Sequence, residues 1–236
     1  MQKENQSFVN NNIEVIGTIC GSAEFSHEVY GEGFYSFKVE VLRLSESSDY
    51  LPVTISERLI DKDSLKEGML VHIKGQIRSY NSYTQEEQKN KLILTIFARD
   101  IEIIEDYEEV RYINPNEVFL NGFICKPTIF RTTPFGREIS DMLLAVNRSY
   151  NKSDYIPCIS WGRNAKFVST LDVGDNIKIT GRMQSRIYQK KTENGEVLEK
   201  TAYEISVSKI ERVFNEDVEE VEEINNLQEE SSEESI

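Results

Sequence analysis

IEVIGTIC, from Ile13 to Cys20, and VFLNGFIC, from Val118 to Cys125, are one strand written twice at an offset of 105. Gly17, Ile19 and Cys20 stand over Gly122, Ile124 and Cys125, and the register holds downstream. Phe25 meets Phe130, Gly31 meets Gly136, Val39 and Val41 meet Leu144 and Val146, Arg43 meets Arg148, and Leu51-Pro52 meets Ile156-Pro157. The offset is 106 where Gly68 and Gly75 meet Gly174 and Gly181, and 109 where IFARDIEII from Ile96 meets ISVSKIERV from Ile205. Shifts this small, confined to loops, are what a tandem duplication leaves behind.

Each copy reads strand, hairpin, strand, strand, short helix, strand, long loop, strand. Alternation marks the strands, as at Ile139, Met142, Leu144 and Val146. Pro134-Phe135-Gly136 tips the first hairpin of the second copy, Gly31 and Gly33 do so in the first, and Asn194-Gly195 falls in the long penultimate loop. SERLIDKDSLKEG and GRNAKFVSTLDVG are the short helical segments, each closed by a glycine suited to a left-handed cap. Five strands with a helix after the third is the topology of an OB-type barrel. The expected fold class is therefore all-β with one short helix per domain: two tandem five-stranded OB-fold barrels and a disordered acidic C-terminal tail. The boundaries are 1–12 for a flexible N-terminus, 13–107 for OB-fold 1, 108–115 for a linker, 116–213 for OB-fold 2 and 214–236 for the tail.

The net charge of −14 argues against a polyanionic partner, since phosphate binding draws on Lys and Arg. Its distribution reverses the argument. Residues 1–115 hold 12 basic and 20 acidic side chains, residues 116–213 hold 15 and 11, and residues 214–236 hold none and 10. Only OB-fold 2 is cationic. No stretch approaches the run of about 20 apolar residues that spans a bilayer, and MQKENQSFVNNN has no apolar signal core, so a cytoplasmic protein is expected. Cys20, Cys125 and Cys158 lack zinc or redox spacing, and His27 and His72, expected on the surface or in loops, lack the spacing of a metal site or nucleophile–base pair. Phosphate-loop, dinucleotide and nucleophile-elbow motifs are absent too. The expectation is a non-enzymatic protein with no cofactor and no metal.

A sequence-tolerant binder of single strands needs flat rings for stacking and cations along the backbone path. OB-fold 2 offers Trp161, Tyr188, Tyr155 and Tyr150 as stacking candidates, each at a strand end or loop edge. Its phosphate-binding candidates are Arg131, Arg137, Arg148, Lys152, Arg163, Lys166, Arg182, Arg186, Lys190 and Lys191, concentrated on the hairpin and long loop with which OB folds clamp oligonucleotides.

The pieces NEVFLNGFICKPTIFRTTPFGREI, LLAVNRSY, YIPCISWGRNAKF, VGDNIKITGRMQSRIY and TAYEISVSKIE, in this order, resemble the bacterial single-stranded DNA-binding protein family from about Asn116 to Val213. The resemblance implies that Tyr150, Tyr155, Trp161 and Tyr188 stack on DNA bases beside the neighbouring basic residues. It also implies single-stranded DNA as partner in replication, recombination and repair, a nucleoid-associated location, a homodimer with four OB folds, and an acidic tail on which replication and repair proteins dock. This tail departs from the family pattern by ending in Glu-Ser-Ile236 instead of an aspartate-rich tip closed by Pro-Phe.

OB-fold 1 departs further. Ser56 stands opposite Trp161, and Glu28, Glu32, Glu46 and Asp49 crowd its loops. It keeps Tyr50 opposite Tyr155, with Arg78, Tyr80 and Tyr83, and reads either as an auxiliary DNA contact or as an assembly or docking barrel. An OB-fold assembly adaptor and an RNA-binding protein are the rival functional readings, because stacking and phosphate contacts do not by themselves separate DNA from RNA.

Overall fold

A computed structural model describes residues 10–43, 45, 47–84, 89–149, 151–191 and 197–214. The acidic tail from residue 215, the N-terminal residues 1–9, residues 192–196 with Asn194-Gly195, and Tyr150 lie outside the described residues.

The first copy builds β1 (Asn11–Val29), β2 (Glu32–Leu42), β3 (Ser48–Ser56), β4 (Leu70–Thr84) and β5 (Lys89–Ile104). The second builds β6 (Asn116–Ile124), β7 (Ile129–Thr132), β8 (Glu138–Arg148), β9 (Lys152–Trp161), the helix α1 (Arg163–Val168), β10 (Asn176–Lys191) and β11 (Val197–Val213). The strand order β2-β3-β5-β4-β1 closes through a β1–β2 pairing, and β6-β10-β11-β9-β8-β7 closes through β6–β8. Both copies are OB-type barrels, with β6 and β7 together occupying the place of β1. Pro127, which cannot donate to a ladder, lies in the break between them.

Alternation drives closure. Ile13, Val15 and Ile19 on β1, Val39 and Val41 on β2, and Leu51, Val53 and Ile55 on β3 are almost fully buried, as are Leu144, Val146 and Ile156 in the second barrel. Glycines of the repeat stand where strands cross tightly: a Cβ at Gly17 would lie 2.6 Å from the Glu40 carbonyl oxygen, and one at Gly122 would lie 2.7 Å from that of Ala145. The first hairpin of barrel one turns on Tyr30 and Gly31, both at positive φ (51° and 76°), the two-residue turn whose twist matches its flanking strands.

Two expectations change. The SERLIDKDSLKEG segment forms only a short 3₁₀ turn at Lys62–Ser64, started by the Asp61 carboxylate accepting from the Asp63 amide. Its charge run buries no residue in that turn, whereas α1 buries Ala165 and Val168 three apart on one face. The long penultimate loops are paired strands, β4 with β5 out to Thr84↔Lys89 and β10 with β11 out to Lys191↔Val197. Cross-strand pairing satisfies backbone groups that a loop would leave to water.

The barrels join about a local two-fold axis. β1 and β6 pair antiparallel from Asn11↔Leu120 to Val15↔Asn116, and the central pair, Ile13↔Val118, is one column of the repeat meeting itself. The segment after β5 carries a 3₁₀ turn (Tyr107–Glu109), and its Val110 packs on Ile16 and Ile104 outside barrel one.

Candidate nucleic-acid interface

On β9, Asp154, Ile156, Cys158 and Ser160 point into the protein, so Tyr155 and Trp161 emerge on the other side, 46% and 39% exposed. On β10, Met183 is buried and Arg186 and Tyr188 are exposed, with the Arg186 guanidinium 5.9 Å from the centre of the Tyr188 ring. These residues share the outer face of barrel two. A cleft of about 370 Å³ joins Pro157 of β9 to Arg186 and Tyr188 of β10, and Lys91 to Leu94 of β5 border it from barrel one.

The cations divide by occupation. Arg137, Lys152 and Arg163 are exposed and paired with no carboxylate among the described residues. Arg131 pairs with Asp141 at 2.8 Å and Lys166 with Glu138 at 3.0 Å near the surface, whereas the exposed Arg186 pairs at 3.6 Å with Glu204, which is buried. The backbones of Lys190 and Lys191 lie on β10, but their side chains fall outside the described residues, as does that of Tyr83.

Arg148 and Arg182 are occupied at the seam. Asp154, wholly buried, accepts from Arg148 at 3.5 Å and from Arg78 of the other barrel at 2.9 Å. Asp49, equally buried, accepts from Arg43 of its own barrel, at 2.6 Å from Nε, and from Arg182 of the other at 3.0 Å. Bonding to Asp49 raises the pKa of Arg43, while burial and the adjacent Arg43 lower that of Arg182. Backbone contacts follow the same exchange. The Ser79 amide donates to Asp154 and the Ser185 amide to Asp49, at 2.8 and 2.7 Å. The Tyr155 amide donates to Ser79 Oγ and the Tyr50 amide to Ser185 Oγ, at 2.7 and 3.1 Å. Each barrel's outward tyrosine is thus fixed by the other barrel's hairpin.

In barrel one, Tyr50 and Tyr80 are exposed and the Tyr50 hydroxyl donates to Glu40, which raises its pKa. His72 departs from the expected surface position: it lies on β4, 8% exposed, with Nε2 2.5 Å from Glu14 Oε1. Its place in the β1–β4 ladder sets this burial. Phe34, Phe97 and Arg99, not singled out in the sequence, gather with the exposed His27 on the outer side of barrel one. The signal was available, because Phe97 and Arg99 stand in the repeat over Ser206 and Ser208.

Fold and face together define a class, the tandem OB-barrel protein with a ring-and-cation surface on its second barrel. The model of the single-strand binding protein family matches residues 115–213. Single-stranded DNA-binding protein A of Bacillus subtilis (strain 168) is 35% identical over 81 residues, 31% of this chain and 47% of that protein. Protein B of the same organism is 31% identical over 81 residues, 31% of this chain and 72% of that protein. The chain belongs to the single-strand binding protein family. It spans about half the length of the first of these relatives. The wild-type single-stranded DNA-binding protein of Thermus aquaticus superposes with a TM-score of 0.66 at 20% identity, covering 87% of this chain and 93% of that one, a likeness of fold that takes in both barrels.

Proposed function

We propose that the chain binds single-stranded DNA with little regard to sequence, stacking bases on Trp161, Tyr188 and Tyr155 and contacting phosphates through nearby Lys and Arg. The observation that carries this reading is the exposure of those rings on one face of the cationic barrel. Rings sealed in the core would have removed it. Arg137, Lys152 and Arg163 are the first phosphate ligands. Arg131 and Lys166 follow, because a surface ion pair is worth only about 0–1 kcal/mol and exchanges readily for phosphate, and Arg186 joins them through its exposed head beside Tyr188. Tyr150, Lys190 and Lys191 complete the set from sequence, and Arg148 and Arg182 support it from the seam.

Binding without catalysis, protecting single strands in replication, recombination and repair, is the role this chemistry suits. Among the described residues no helix is long and apolar enough to cross a membrane. The proposal extends to a nucleoid-associated cytoplasmic protein, a homodimer presenting four barrels, and an acidic tail that docks replication and repair proteins. Domain limits of 13–107 and 116–213, with a linker at 108–115, belong to the same proposal.

Titration with oligo-dT while following Trp161 fluorescence tests the reading. The expected result is salt-sensitive quenching in the unaltered chain and, by anisotropy of a dye-labelled oligo-dT, a lower affinity in the chain with Trp161→Ala and Tyr188→Ala. Affinity unmoved by that double change would sink it. Matched RNA oligomers as competitors separate the RNA alternative, and a stable monomer in sedimentation would remove the dimer.

A further inference from the structure

A cavity of about 700 Å³ opens on the outer face of barrel one, within the range typical of small-ligand sites. His27, Phe97 and Arg99 line it, and the buried Phe34 backs them in a continuous run of flat groups. His27 lies parallel on Phe34 with centroids 4.9 Å apart, Phe34 meets Phe97 at 5.9 Å, and the Arg99 guanidinium stands 5.3 Å from the centre of the Phe97 ring. Thr54 and Thr95 also line the cavity, their hydroxyls 2.8 Å apart, and Tyr80 contributes a further exposed ring.

Three guanidiniums reach the cavity. Arg78 and Arg148 are tied to the buried Asp154. Arg99 pairs with no carboxylate among the described residues, and its polar contact is the Gln76 side-chain oxygen at 3.4 Å, which also accepts from Arg78. Burial and the neighbouring Arg78 lower the pKa of Arg99, a cost that a bound anion would relieve.

Barrel two does not repeat this construction. In the columns of Thr54, Thr95, Phe97 and Arg99 it has Ile159, Glu204, Ser206 and Ser208, so two small hydroxyls replace the ring and the cation, and an apolar chain and a carboxylate replace the threonines. Barrel one in turn has Ser56 where barrel two has Trp161. The same face has been specialised in two ways.

We infer that barrel one carries its own nucleotide site, in which a base stacks on the Phe97–Arg99 wall, its edge meets the Thr54 and Thr95 hydroxyls, and its phosphate is held by Arg99. The chemistry is that of one nucleotide, whether a unit of a strand or a free monophosphate. Only the strand form rests on the proposed function.

The test uses the full chain with two probes, dTMP by calorimetry and a short oligo-dT carrying 5-iododeoxyuridine by photo-cross-linking. Arg99→Gln removes the charge while keeping a polar head, and Phe97→Leu keeps an apolar filler. In a chain with Trp161→Ala and Tyr188→Ala, residual oligomer binding is expected, and Arg99→Gln should weaken it further by about tenfold, the scale of one lost stack or phosphate contact. Cross-links should map to the tryptic peptide 92–99, which contains Phe97. Measurable dTMP binding lost in Arg99→Gln assigns the site to free nucleotides as well, and a response to the oligomer alone assigns it to the strand. Unchanged affinity for both probes in both variants, with no cross-link to peptide 92–99, overturns the inference. In the chain that keeps Trp161, quenching that persists in that case leaves the trough of barrel two standing, and dTMP binding without quenching does the reverse.

Discussion

Cations that look alike in sequence do different work once their surroundings are seen. Lys152 and Arg163 face solvent unpaired among the described residues, whereas Arg182 is bound to a carboxylate with almost no water around it. Changing Lys152 or Arg163 to Ala should lower the slope of log affinity against log salt by about 0.7 each, the value for one phosphate contact on a single strand. Stability should hold within about 0.5 kcal/mol, as for other surface changes. Asp154→Ala should act the other way, removing about 3 kcal/mol in urea unfolding because Arg78 and Arg148 lose their shared counter-ion. A salt slope altered by Asp154→Ala with no loss of stability would contradict that assignment. Burial also raises the Cys158 pKa well above its ordinary value. The neutral thiol is therefore favoured by folding, and its contribution is present below the ordinary thiol pKa and fades as pH climbs past it. Iodoacetamide at mildly alkaline pH should leave Cys158 unlabelled in the native chain and label it after denaturation.

At the scale of elements, the paired hairpins β4–β5 and β10–β11 carry the molecule's cross-talk. Each leaves its own barrel and places a serine amide and hydroxyl on the other barrel's aspartate and tyrosine. Ser79→Ala removes the acceptor for the Tyr155 amide at 2.7 Å and should weaken oligo-dT binding several-fold without changing the salt slope, with Ser79→Thr restoring it. A change in slope would instead place Ser79 in direct phosphate contact. The bulge between Thr180 and Gly181 brings β10 against β11 so closely that a Cβ at Gly181 would lie 2.3 Å from the Ser206 carbonyl oxygen. Since backbone must move to relieve that contact, Gly181→Ala should cost about 2 kcal/mol or more, read by thermal unfolding. The hairpins were read as loops because their tips lack a sustained apolar face, and cross-strand pairing leaves no such mark in local sequence.

For the whole molecule, the two-fold seam ties the barrels into one unit. Unfolding either barrel alone would strand Asp49 or Asp154 without the arginine of its neighbour and break the β1–β6 ladder. A single cooperative transition is expected by calorimetry, and two well-separated transitions would show that the seam is weak. The net charge of −14 averages an acidic barrel, a cationic barrel and an acidic tail, so only local charge bears on where a polyanion binds.

The sequence alone determined the duplication, the barrel topology and the outward rings of barrel two, because these follow from a repeat and from strand alternation, both written along the chain. Tertiary structure decided the fate of the charges. Whether an arginine meets a phosphate or a buried aspartate depends on what stands opposite it across the seam, more than 70 residues away for Arg78 and Asp154. It also decided that Phe97, Arg99 and His27 meet in one cavity. His27 comes from β1 and the other two from β5, and only closure of the barrel brings their faces together.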